Sequence, residues 1–138
     1  MTTTIEDSQL TAEVQELYII GKDWIADLDF FEQDLEFIQR LFKRSFLPLI
    51  HEPVIRNITP IMQDFMVIET QCESIRARLL AHLHSLEPLV KYPDMDYGLS
   101  LIESHASLER DISGLLQSFR SLKKGILKLT EKDTVAKS

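Results

Sequence analysis

At 138 residues, 44% apolar and 27% charged, the chain has the make-up of a soluble globular protein with one domain, long enough to build a core without disulfides or a structural metal. Its 15 basic and 22 acidic residues leave a net charge of -7, which repels nucleic acid unless a local basic patch outweighs it. The single Cys72 cannot close an internal disulfide, no secretory signal pattern opens the chain, and no apolar run approaches the ~20 residues a membrane span needs; the expected setting is a reducing cytoplasm.

The first eight residues are polar and are expected to fray. From Leu10 the apolar residues alternate steps of four and three: Leu10, Val14, Leu17, Gly21, Trp24, Leu28, Phe31, Leu35, Ile38, Phe42. That spacing keeps one face of an α-helix against a partner. Gly21 costs about 1 kcal/mol in a helix interior, but the phase is unchanged across it. One helix over about residues 9–46 is therefore expected, the alternative being two helices with a kink at Gly21. Pro48 and Pro53 forbid its continuation.

A second helix is expected over about 60–87, with Thr59 as its cap and Pro60 in its first turn. Its seam is Ile61, Phe65, Ile68, Cys72, Ile75, Leu79, His82 and Leu86, and Pro88 should end it. Asp94 or Asp96 is a candidate cap for a third helix, over about 96–130. That helix carries Leu101, His105, Leu108, Ile112, Leu115, Phe119, Leu122, Ile126 and Leu129 in the same rhythm. Residues 131–138 form a charged tail expected to fray.

Short connections make successive helices antiparallel neighbours. Folding the three seams about their connections gives layers such as Trp24, Leu79, Leu108 and Phe31, Cys72, Leu115. The flanking charges then place Arg78 opposite Asp27 and Gln71 opposite Asp34 toward the first helix, with Arg76 opposite Glu109 toward the third. The expected fold is an all-α antiparallel bundle of three long helices with coiled-coil-like packing, with room for a short fourth piece.

The same alignment brings Gly21, His82 and His105 to one level, a small polar pocket where the first helix has no side chain. Neutral imidazoles on facing helices are good metal ligands, so His82 and His105 are candidate ligands for a metal or small molecule. Only two ligands converge, and no His has a Glu three residues before it, so the ordinary reading is a pair of half-buried, hydrogen-bonded histidines. His51 and His84 lack matched partners. Cys72 in a seam behaves as a small apolar residue. No catalytic residues and no cofactor loop can be assembled; the acids of the first helix are spread around it as on a solvated face.

Two surfaces remain. Arg40, Lys43 and Arg44 close the first helix while Arg120, Lys123, Lys124 and Lys128 close the third; such cations ordinarily offset the helix dipole, and as a patch they would dock an acidic partner. Phe30 and Phe37, continued by Leu41, form a second apolar stripe on the first helix, and Met66 and Leu80 point outward on the second. Large exposed apolar surface marks interaction sites, and either the 47–58 loop or a second copy of the chain would cover this one. The expectation is a non-enzymatic interaction or scaffolding module that self-associates through the first helix, its partner being a second copy in a homodimer or another protein. A metal- or small-ligand-binding bundle built on His82 and His105 is the alternative.

Overall fold

The computed structural model describes the backbone over residues 5–46, 52–91 and 99–137 and the side chains over 12–46, 58–91 and 99–129. Within these residues the chain is wholly helical: α1 spans Ile5–Phe46, α2 Glu52–Lys91 and α3 Leu99–Lys137. The three pack against one another as an all-α bundle. The expected caps Asp94 and Asp96 and residues 47–51 of the connection expected to cover the apolar stripe, His51 among them, lie outside the described residues, while 52–58 of that connection belong to α2.

α1 is a single helix through Gly21. α2 departs most from expectation, beginning at Glu52 and ending at Lys91, so that Thr59, Pro60 and Pro88 lie inside it rather than at its ends. Pro53 is its second residue, where a missing N–H costs nothing. Pro60 and Pro88 do lose a hydrogen bond each, at about 3 kcal/mol for an interior proline. The opposing term is burial. Ile58 and Leu89 continue the four-three series beyond both prolines and both are buried, each contributing roughly 1.5–3 kcal/mol. The prolines themselves are exposed, as is His84, whose carbonyl Pro88 cannot serve.

By its contacts the chain divides into two compact units, each drawing on all three helices: Met1–Asp29 with Ser74–Ile112, and Phe30–Glu73 with Ser113–Ser138. In the first unit Val14 packs with Leu86 and Leu89, with Leu17, Tyr18, Val90 and Leu101 laid against them. Further along, Leu79 and Leu83 meet α1 at Gly21, and Arg76 reaches Asp29 at 2.8 Å. Numbers rise along α1 as they fall along α2, so the two are antiparallel. In the second unit the core is aromatic. Phe42 packs against Phe46 and Phe65; Phe31 meets Phe119 edge to face at 4.9 Å and Asp34 meets Lys123 further along, so numbers rise together on α1 and α3 and the two are parallel. All seam positions with described side chains are buried or half-buried.

The flanking charges fall on the opposite sides from those expected. In the first unit Arg76 pairs with Asp29 of α1, while Arg78 turns to α3, where it donates to Asp111 at 2.6 Å and to Ser107 at 3.1 Å. In the second unit Asp34 turns to α3 and accepts from Lys123 at 2.7 Å, while Glu32 faces α2 and accepts from the Cys72 thiol at 3.5 Å. Both units thus share one hand, the reverse of the one assumed in assigning those pairs. Exposed pairs such as Arg78–Asp111 are worth ~0.2–1 kcal/mol and select the arrangement more than they stabilise it.

Candidate functional site

Two features stand out once the core is accounted for, and each lies within one unit. The first is the histidine pair. α2 and α3 bring the His82 and His105 rings to 5.7 Å between centroids, with planes tilted by 42°. His82 is 3% exposed, the one polar residue among the buried side chains described. Neither of its ring nitrogens has a hydrogen-bond partner among the described residues, and the same holds for Nδ1 of His105. Burial pushes His82 below the ordinary imidazole value, and His105 adds to the effect. Burial also lowers His105, with Glu109 pulling the other way.

The level of Gly21 differs from the open pocket expected there. A Cβ on Gly21 would lie 2.6 Å from a methyl of Leu83, so Leu83 fills the notch and lets α2 approach α1 closely. α1 also contributes Trp24 to the pair, stacked on His105 at 4.5 Å and 26°. Trp24 thus covers one face of His105, while Leu79 and Leu83 lie against Gly21. Among the described residues no group of three or more His, Cys, Asp or Glu converges, so two imidazoles are the whole donor set. The indole is the member that sequence reasoning missed: Trp24 stood in the seam, but its level was assigned to Leu108 rather than to His105.

The second feature is apolar surface. Phe30 is 72% exposed, Phe37 57% and Leu41 42%, and spacings of seven and four put all three on one face of α1. Beside them a groove of about 210 Å³ runs between α1 and α3, lined by Ile38, Leu41, Ser45, Lys123, Ile126 and Leu127. Met66 and Leu80 are exposed on α2, one in each unit, apart from that groove. Of the basic residues at this end, Arg40, Lys43, Arg44, Arg120, Lys124 and Lys128 are exposed. Lys123 is half-buried between Asp34 and the face of Phe119, 4.6 Å from the ring centre, and serves as a tie between α1 and α3.

No protein-family model, curated protein or solved structure matches the chain. Among the described residues no helix is long and apolar enough to cross a membrane.

Proposed function

We propose that this chain is a non-enzymatic helical-bundle module, working in the reducing cytoplasm, that self-associates through α1. The observation that carries the reading is the exposure of Phe30, Phe37 and Leu41 on one face, beside the apolar α1–α3 groove. Two phenylalanines left in water forgo roughly 1.5–3 kcal/mol each, and a second copy returns that energy by covering them. The charges around them favour a copy over an unrelated partner. Over residues 30–46 of α1, where Glu32 and Asp34 are engaged within the bundle, the exposed acid Glu36 precedes the exposed bases Arg40, Lys43 and Arg44. An antiparallel copy centred on Phe37 therefore brings Glu36 of each chain toward the basic stretch of the other across a two-fold axis, with the Phe37 rings meeting on it.

Sedimentation equilibrium of the wild-type chain and of the Phe30→Glu/Phe37→Glu variant tests this. The wild type should have the mass of a dimer at micromolar concentration. The double variant should remain helical and associate at least about a hundredfold more weakly, as expected when two buried anchors are removed. A monomeric wild type, or assembly untouched by the two charges, would remove α1 as the interface.

A further inference from the structure

The histidine pair carries a separate inference, independent of self-association. A fully buried imidazole with both nitrogens unpartnered is expensive, because a buried polar group without a hydrogen bond keeps its full desolvation cost. A leucine at that position of α2 would remove the cost and complete the seam, so the arrangement calls for something that both rings can hold.

We propose that His82 and His105 bind a monovalent d10 ion, copper(I), in two-coordinate geometry. Three observations on this site favour that ion over a divalent one. The first is coordination number. Zinc, nickel and iron require three or four protein ligands in such sites, whereas only two donors converge here among the described residues. Copper(I) is saturated by two ligands in a near-linear arrangement.

The second is distance. A metal–nitrogen bond of about 2 Å on each side sets two trans imidazoles with ring centres roughly 6 Å apart. The rings of His82 and His105 are 5.7 Å apart, wider than stacking and a little shorter than that separation, so the two bonds would be bent rather than in line. The unpartnered Nδ1 of His105 and either nitrogen of His82 supply the lone pairs.

The third is charge. Both donors are neutral, His82 is buried, and Trp24 covers one face of His105. Desolvation cost grows as the square of the charge, so a dication entering this site would lose about four times what a monocation loses, with no anionic ligand to offset it. Trp24, stacked on His105, presents an electron-rich face to a ring made more positive by coordination, a cation–π arrangement that strengthens once the ion is bound.

The test is anaerobic titration of the full chain with copper(I) in competition with a chromophoric copper(I) chelator, following the fluorescence of Trp24, the only tryptophan in the sequence. One equivalent should bind and quench Trp24 at that equivalence point, while zinc(II) over the same range leaves the fluorescence unchanged. His82→Leu, a replacement suited to an apolar seam, should stay helical by circular dichroism and bind at least about a hundredfold more weakly, as expected when one of two ligands is lost; His105→Gln should weaken binding likewise. Cys72→Ala should bind as the wild type does. The proposal is overturned if no copper(I) is retained against the chelator, if zinc(II) binds equally well, or if binding survives His82→Leu or is lost in Cys72→Ala, which would assign the ion to the thiol.

Discussion

A neutral imidazole buried in a helical seam resists taking up a proton, and His82 and His105 couple the fold of the metal-free protein to pH. Both have folded-state values below the 6.5 of an unperturbed histidine, because burial disfavours the cation. Unfolded chains therefore bind protons first as pH falls. The stability these residues contribute is complete above pH 6.5 and is lost as pH falls from there through their lowered folded values. Thermal melts of metal-free protein should show a flat Tm above neutrality and a decline beginning near pH 6.5. In His82→Leu that decline should shrink, and Tm at neutral pH should hold or rise, since an unpaired buried polar group has been replaced by an apolar one. A melting curve that ignores pH through this window would mean that the pair finds polar partners in solution. The meeting of His82 with His105 was legible in the sequence, because two four-three seams folded about one connection leave little choice of level. The filling of the Gly21 notch was not. Leu83 lies one step off the seam, and only the close approach of α2 to α1 turns it inward.

At the scale of single helices, α2 shows which of two local signals prevails. Proline rules place its ends at Pro60 and Pro88, while the apolar rhythm runs on through Ile58 and Leu89. The rhythm prevails because the cost of an interior proline, about 3 kcal/mol, is matched by the burial of one or two large side chains, and because these prolines face solvent. Pro88→Ala should therefore stabilise the protein, by roughly 1–3 kcal/mol, since it restores a backbone hydrogen bond and removes a ring that packs against no core residue. Urea denaturation followed by helical circular dichroism measures this. A variant no more stable than the wild type would show that the rigid ring supports the last turn of α2. α1 begins at Ile5, four residues before its expected start, and α3 runs from Leu99 to Lys137, so that residues 5–8 and 131–137, expected to fray, are helical.

For the molecule as a whole, dimerisation through α1 links stability to concentration. If the folded chain associates and the unfolded one does not, raising the protein concentration about a hundredfold should raise Tm by several degrees, and Phe30→Glu/Phe37→Glu should abolish that dependence. A wild-type Tm that does not move with concentration would count against the proposed dimer. Lys123 bears on this face as well. It belongs to the lining of the α1–α3 groove, yet Asp34 and Phe119 already hold it, so the groove presents less charge than its sequence suggests.

Composition and periodicity by themselves determined that the chain folds as three helices, in which order and direction they pack, and which seam side chains enter the core, though not Phe46, Ile58, Leu83 or Leu89. These follow from side-chain type at a helical repeat and from short connections, both local properties. The tertiary structure alone decided that Arg76 answers α1 and Arg78 answers α3, that Asp34 meets Lys123, that Leu83 sits in the hollow of Gly21, and that Trp24 covers His105. A four-three pattern buries the same residues in either hand of a three-helix bundle and tolerates small axial offsets. The flanks of each seam are therefore settled only when all three helices are in place.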